Sequence, residues 1–300
     1  MSSIIRRVLV TVVSGIAVVG LGIVIGSSAT TSAGAAQPSG GYYEVATDGG
    51  VFAFGTASFF GSMGGRPLNK PIVGMAATPG GKGYWLVASD GGIFAFGDAG
   101  FYGSTGSLTL NKPIVGMAAT PNGAGYFLVA SDGGIFAFGN ARFMGSTGSL
   151  TLNQPIVGMA LTEGGGGYWL VAQDRGIFNF GNAPFNGSGV CITQCSQGPP
   201  AVGIAANFSS IGGYWITQSD GETGYFPNNM ADFEKGFFGP GAAIPGLVQP
   251  VVGVTALKDG SGYWLVAGDG GIFTAGSAPF YGSIGGHPLN APVVGIASTQ

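Results

Sequence analysis

Six of the 13 acidic residues recur along the chain at a nearly constant spacing of 42 to 49 residues. Carboxylates that converge on one point bind calcium, which needs about six to eight oxygen atoms at short range. These six lie in separate repeats, which would hold them too far apart for a shared ion. Five precede Gly, a pairing typical of turns, so we predict a structural role and neither a metal site nor a cofactor. They are Asp48, Asp90, Asp132, Asp174, Asp220 and Asp269.

The other acidic residues are the remaining source of a carboxylate pair for cleaving a glycosidic bond. They are Glu44, Asp98, Glu163, Glu222, Asp232, Glu234 and Asp259. They fall in different repeats and loops. Glu222 with Asp232 or Glu234 supports one alternative hypothesis, a polysaccharide hydrolase or lyase. The single His, His287, has no nucleophile in a recognisable motif beside it, so we predict no catalytic residues and favour a protein without enzymatic activity.

Polar residues recur in the connections that lead into the first apolar run of each repeat. Equivalent connections of a repeat array lie on one face, so we expect them to open together with the Asp-Gly turns around a central channel. This face is the predicted binding site, and the alternative is that each Asn merely caps a turn. The candidate binding residues are Arg66, Asn69, Lys70, Asn111, Lys112, Asn153, Gln154, His287 and Asn290.

A second candidate surface follows from the most variable position of the repeat, directly after the Phe of its fourth run. One repeat has Asn at this position, which indicates contact with water, and we expect the set to line an outer rim. The residues are Phe60, Tyr102, Met144, Asn186, Phe238 and Tyr281.

The elements that must position these residues are four short apolar runs in each repeat. In the second repeat they are residues 71–78, 83–89, 92–96 and 101–104, rich in Val, Ile, Phe, Tyr and Trp and bounded by Gly, Pro and Asp. Such runs predict strands. Asp90-Gly91 between the second and third runs predicts a hairpin with a type I′ turn. A period of 42 to 49 residues built of such strands is typical of a propeller blade.

The two ends of the repeat array complement each other. Residues 41–45 correspond to a second strand that lacks a first, and residues 292–298 correspond to a first strand that lacks a second. Pairing them would close the ring and remove an exposed sheet edge. We therefore predict an all-β fold, a six-bladed β-propeller of four-stranded blades whose closing blade is shared between the N- and C-terminal strands. The alternative, an open β-solenoid, would need atypical capping repeats.

Residues 83–104, with the sequence GYWLVASDGGIFAFGDAGFYGS, closely resemble a repeat found in secreted actinobacterial proteins. In that family the repeat often accompanies cell-wall or peptidase domains. The resemblance covers nearly all of residues 41–300 and implies a location and a shape rather than an activity. The fifth repeat departs from the pattern at residues 220–226.

Residues 1–36 read as an export signal, because Arg6 and Arg7 precede an apolar run that ends in small residues. Cleavage after Ala35 or Ala36 would leave a short linker, residues 37–40, before the propeller at 41–300. The apolar run is also long enough for a single N-terminal membrane anchor, and both possibilities stay open. In an exported protein, Cys191 and Cys195 are expected to form a disulfide.

The net charge limits the class of partner. The chain has a formal charge of −3, which becomes −5 without Arg6 and Arg7, and an acidic surface disfavours nucleic acid and anionic lipid. We expect a monomeric, secreted or extracytoplasmic binding or scaffold module of the cell envelope that contacts a glycan or a protein. A purely structural, membrane-anchored propeller is the further alternative.

Overall fold

The computed structural model describes residues 40–189, 198–229, 231 and 243–299. The predicted leader, the disulfide between Cys191 and Cys195, and the acidic residues Asp232 and Glu234 lie outside this range. Within it the secondary structure is strand, and no helix is long and apolar enough to cross a membrane.

The described residues contain 18 strands, which follow the first three runs of each repeat. The middle strands are β1 Gly41–Ala46, β4 Gly83–Ala88, β7 Gly125–Ala130, β10 Gly167–Ala172, β13 Tyr214–Gln218 and β16 Gly262–Ala267. The third strands are β2 Val51–Gly55, β5 Ile93–Gly97, β8 Ile135–Gly139, β11 Ile177–Gly181, β14 Thr223–Phe226 and β17 Ile272–Gly276. The first strands are β3 Ile72–Ala77, β6 Ile114–Ala119, β9 Ile156–Leu161, β12 Ala201–Ala206, β15 Val251–Ala256 and β18 Val293–Ser298.

These strands form six antiparallel sheets of three strands each, and one sheet is built from both ends of the chain. Sheet I is β18-β1-β2, and sheets II to VI follow in chain order from β3-β4-β5 to β15-β16-β17. In sheet I, Tyr43 lies opposite Ala297 and Glu44 lies opposite Ile296. The predicted pairing of the two chain ends is therefore present, and no middle strand lacks a first strand.

A continuous set of backbone hydrogen bonds, which we name the main-chain belt, links each sheet to the next. In sheet II the N–H of Ser89 donates to the carbonyl of Pro71, and the carbonyl of Ser89 accepts from the N–H of Ile114 in sheet III, both at 2.9 Å. The same two bonds recur in every sheet. The last link, from Val293 N–H to the carbonyl of Gly268, joins sheet I to sheet VI, so the six sheets form a closed cycle.

The core lies between neighbouring sheets. Every residue of each middle strand is buried, because alternate side chains face the sheets on either side. Tyr84 faces sheet I, where its ring centroid lies 4.7 Å from that of Tyr43, and Trp85 faces sheet III, 5.7 Å from Tyr126. These mid-strand aromatic residues are fully buried, which agrees with the prediction that they pack in the core.

The predicted fourth strand is absent from the described residues, so the sheets have three strands rather than four. Residues 101–104 carry no strand hydrogen bonds, and Gly103 has a φ of 135°, outside the conformation of a strand. A Tyr of the next sheet binds the segment instead. The Tyr126 hydroxyl accepts from the N–H of Tyr102 at 3.1 Å and donates to the carbonyl of Gly103 at 2.6 Å. We name this pair of bonds a tyrosine bridge.

Tyrosine bridges join five of the six sheet pairs. The bridging residues are Tyr42, Tyr84, Tyr126, Tyr168 and Tyr214. The fourth run of sheet V, which would face Tyr263, lies outside the described residues.

The hairpin turn also differs from the prediction. Only Gly91 has a positive φ, 78°, whereas a type I′ turn needs positive φ at both central residues. Gly91 N–H donates to the carbonyl of Ala88, so Ser89 and Asp90 are the central residues of the turn and Gly91 follows them. Asp90 has no positive φ, and its carboxylate stabilises the turn by accepting from Gly92 N–H at 2.9 Å.

Candidate functional site

The predicted binding residues lie on one face, as expected. Each loop ends at a Pro whose carbonyl belongs to the main-chain belt, and the turns after the middle strands begin at the other residues of that belt. The loops and the turns therefore occupy the same end of the sheets, which we name the loop face. All nine predicted side chains are exposed there, spread over the loops that lead to β3, β6, β9 and β18.

The recurrent Asp residues have a structural function in these turns. In all six, Oδ1 accepts a hydrogen bond of 2.9 to 3.0 Å from the backbone N–H two residues later. Each carboxylate thus stabilises its own turn. The described residues contain no group of three acidic, His or Cys side chains that could hold a metal ion.

The loop face contains a small cleft in sheet I, which we name the Asp48 cleft. Its volume is about 160 Å³, and its wall includes the Asp48 carboxylate, the Phe52 ring and the predicted binding residue Asn290. The full lining is Ala46, Asp48, Gly50, Phe52, Gly64, Gly65, Leu289, Asn290 and Ala291. A drug-sized ligand occupies a pocket of about 300 to 1,000 Å³, so this cleft fits one ring or one side chain of a larger partner.

The chemistry of the cleft suits a polar group attached to a flat apolar one. Asp48 Oδ1 is occupied by Gly50 N–H, and Oδ2 is left as an acceptor. The exposed amide of Asn290 supplies both a donor and an acceptor, while Phe52 gives an apolar surface. This combination can accept a hydroxyl group and pack against a ring.

A combination of two short residues distinguishes sheet I from its neighbours. Gly65 and Ala291 line the cleft, whereas the corresponding positions are Ser107 and Lys70 in sheet II and Gly286 and Gln249 in sheet VI. A side chain built on Gly65 would meet nothing within 4 Å. The open space therefore results from Ala291, which replaces the longer residue of the other repeats, together with a Gly that sheet VI shares.

Two of the remaining acidic residues, Asp98 and Asp259, have local hydrogen-bond partners. Asp98 accepts a 2.8 Å hydrogen bond from the Thr78 hydroxyl. The Ser261 hydroxyl donates to Asp259 at 2.7 Å and lowers the pKa of that exposed carboxyl. Glu222 lies beside its turn in sheet V, and its proposed partners Asp232 and Glu234 are outside the described residues.

Glu44 is the exception among the acidic residues. It lies in the middle of β1, is completely buried, and neither carboxyl oxygen has a hydrogen-bond partner. Burial, with a smaller contribution from the negative charge of Asp269, raises the pKa of Glu44 from 4.5 to about 8. The sequence placed it among scattered acids, and only the pairing of both chain ends shows that it is enclosed.

The outer surface differs from the predicted rim. The Phe that begins each fourth run is about 60% exposed in every described case, whereas the predicted residue after it is less exposed, with the largest value of 37% at Tyr102. Phe60, for example, packs against the bridging Tyr84, and Phe238 lies outside the described residues. The exposed residues are Phe59, Phe101, Phe143, Phe185 and Phe280. The sequence showed that this Phe is invariant among the repeats, but its exposure could not be predicted because the run was assigned to a strand.

Arg175 is a further residue that the sequence did not single out. It takes the place of the turn Gly in sheet IV and is the one non-Gly residue with positive φ, 71°, in the described part of the chain. Its guanidinium donates to the Gln218 side chain of sheet V at 3.0 Å. The strained conformation therefore places a cation on the loop face.

No protein-family model and no curated protein sequence matches this chain. Its fold is similar to a chain in the crystal structure of a nidogen/laminin complex. The TM-score is 0.54 at 13% sequence identity, and the match covers 87% of this chain and 98% of the other. At this identity the similarity concerns the fold alone. Together with the closed cycle of sheets, it supports the predicted β-propeller.

Proposed function

We propose that the protein is a non-catalytic binding or scaffold module that contacts a larger partner through the loop face. The observation that carries this proposal is the Asp48 cleft, flanked by the exposed polar loops that lead to β3 and β18. The cleft is too small for a whole cofactor but fits one group of a polymer. We further propose that the ring is a six-bladed propeller, with the tyrosine-bridged segments completing each blade in place of a fourth strand.

The proposed site of action is the cell envelope, outside the cytoplasm. Support comes from the leader-like residues 1–36 and from the resemblance to secreted actinobacterial repeat proteins. The partner is an envelope protein or a wall glycan. The exposed polar loops suit a protein surface, and the hydroxyl-accepting chemistry of Asp48 and Asn290 suits a glycan. Mass spectrometry of the mature N-terminus tests export, since cleavage is expected after Ala35 or Ala36.

A retention experiment tests the binding function. Purified protein is immobilised and exposed separately to isolated cell wall and to solubilised envelope proteins. Retention of a glycan or of a defined protein is expected, and Ala291→Lys should weaken it by filling the cleft with the residue found at positions 70 and 112. Gln249→Lys, which introduces the same side chain at the equivalent exposed position of sheet VI and outside the candidate binding residues, is the matched control. If the immobilised protein retains neither a cell-wall component nor an envelope protein, the proposal is overturned.

A further inference from the structure

The interface that closes the ring contains a buried acid where the other interfaces are apolar. Glu44 is completely buried, and both of its oxygens lack a hydrogen-bond partner. The equivalent residues of the other middle strands are Leu86, Leu128, Leu170, Ile216 and Leu265. The carboxyl thus occupies an aliphatic position, and it does so only in the sheet that joins the two ends of the chain.

The side chain of Glu44 faces sheet VI. It lies on the same face of β1 as Tyr42, whose ring centroid is 5.6 Å from that of Trp264 in β16. The turn after β16 covers it, because a Cβ built on Gly270 would lie 2.9 Å from Oε2. Glu44 is therefore enclosed between the sheet that contains both chain ends and the last sheet formed by the repeats.

Among the described residues no positive charge compensates the carboxylate. The strands packed around it, β2, β16, β17 and β18, contain no charged residue. The facing titratable group is Asp269, which has the same sign as an ionised Glu44, and Tyr42 lies beside it on its own strand. An ionised carboxylate at this position would be buried, unpaired and repelled by Asp269, whereas the neutral acid resembles the Leu of the other repeats.

We propose that Glu44 is a proton-dependent latch on ring closure. In its neutral form it packs as part of the apolar layer between sheets I and VI, and loss of its proton releases this interface. In sheet I, the β1-β2 hairpin belongs to the N-terminal end of the chain and β18 to the C-terminal end. The hairpin can therefore move away from β18 and sheet VI without breaking the chain connection between any two repeats. The latch therefore acts at the weakest topological point of the ring.

The direction of the pH dependence follows from the raised pKa of Glu44. In the open state the carboxyl is solvated and titrates near 4.5, whereas in the closed state burial raises its pKa to about 8. The open state thus binds fewer protons between these values. Closure is most stable below pH 4.5 and loses stability as the pH rises through about 8, after which the dependence levels off.

Hydrogen exchange on the full chain tests the latch, with observed rates corrected for the intrinsic effect of pH. Amides of β1 and β18 are compared with amides of β7 in sheet III. In the unsubstituted protein, the opening equilibrium of sheet I is expected to rise by about tenfold per pH unit between roughly pH 6 and pH 8. Sheet III should show a much smaller change.

Two variants separate the latch from a general effect of alkali. Glu44→Gln keeps the size of the side chain without the charge, and Glu44→Leu introduces the residue of the other repeats. Both should abolish the additional pH dependence of exchange in β1 and β18. If the buried amide of Glu44→Gln prevents that variant from folding, Glu44→Leu alone is measured. Unchanged pH dependence in the variants would overturn the proposal. Restoration of protection near pH 8 by added calcium or sodium ions would also overturn it, because the carboxylate would then hold a cation.

Discussion

The hydroxyl of Tyr42 donates a 2.5 Å hydrogen bond to the carbonyl of Gly282, across 240 residues of sequence. The same hydroxyl accepts from the N–H of Tyr281 at 3.2 Å. This is the tyrosine bridge of the ring closure. It has the same geometry as the bridges between consecutive repeats, such as the one made by Tyr126. The two chain ends are therefore joined by the same interaction as two neighbouring repeats.

Tyr42→Phe and Tyr126→Phe should destabilise the fold by similar amounts. Each removes one hydroxyl and leaves a backbone donor and acceptor without a partner, which costs about 1 to 3 kcal/mol. Urea unfolding measures the two changes. Hydrogen exchange should distinguish them, with faster exchange in the segment around Gly282 for Tyr42→Phe and in the segment around Gly103 for Tyr126→Phe. A Tyr42→Phe protein as stable as the original would show that the closing bridge does not contribute.

Glu44→Leu should raise the free energy of unfolding, and more strongly as the pH rises. Burial of the carboxyl raises its pKa from 4.5 to about 8. The increase in the free energy of unfolding on replacing it should therefore be smallest below pH 4.5 and reach its full size above pH 8. The difference between these limits is on the order of 5 kcal/mol, at about 1.4 kcal/mol per pKa unit. Chemical unfolding at several pH values measures it. Burial also raises the pKa of Tyr42 to about 12, so its hydroxyl remains protonated throughout this range. A gain independent of pH would argue that Glu44 is solvated.

Arg175→Gly should be more stable than Arg175→Ala by about 1 kcal/mol, because an Ala at positive φ keeps the backbone strain that Gly removes. Both variants lose the hydrogen bond to Gln218, so the comparison isolates the backbone. The same two substitutions at Arg142, an exposed loop residue without positive φ, are the control and should not favour Gly. Thermal unfolding of the four proteins gives the answer, and equal stabilities at position 175 would contradict the assigned turn geometry.

Asp132→Ala should cost about 1 kcal/mol, because it removes the side-chain acceptor of the turn. Asp132→Asn retains an oxygen that can accept from Gly134 N–H and should be nearly neutral. If the Asp residues instead held calcium, Asn would be as harmful as Ala, and a chelator would lower the melting temperature of the unsubstituted protein. We expect no effect of the chelator in differential scanning calorimetry.

The repeat period and the phase of its two ends predicted the closed cycle of sheets and the composition of sheet I. These features depend on local strand patterns and on a count, which a sequence displays directly. The fourth strand was predicted incorrectly because the run at Phe101 has strand composition, whereas Gly103 leaves the strand conformation and the hydroxyl of Tyr126, from another sheet, takes over the backbone groups.

The candidate site was predictable in its location but not in its detail. The loop residues could be assigned to one face because the fold sets the direction of every connection. The Asp48 cleft depends on Gly65 and Ala291, which lie more than 200 residues apart, and the burial of Glu44 depends on contact between both ends of the chain. Neither property can be read from one repeat.

The main-chain belt is made of peptide groups alone. Closure of the ring at this end therefore does not depend on which side chains the loops carry. The connection between β14 and β15 is much longer than its equivalents, yet Val251 N–H still donates to the carbonyl of Ser219 at 2.9 Å. The bonds of the belt are therefore kept although this connection is longer in sequence, so side chains of the loop face can be exchanged without removing a main-chain bond that closes the ring.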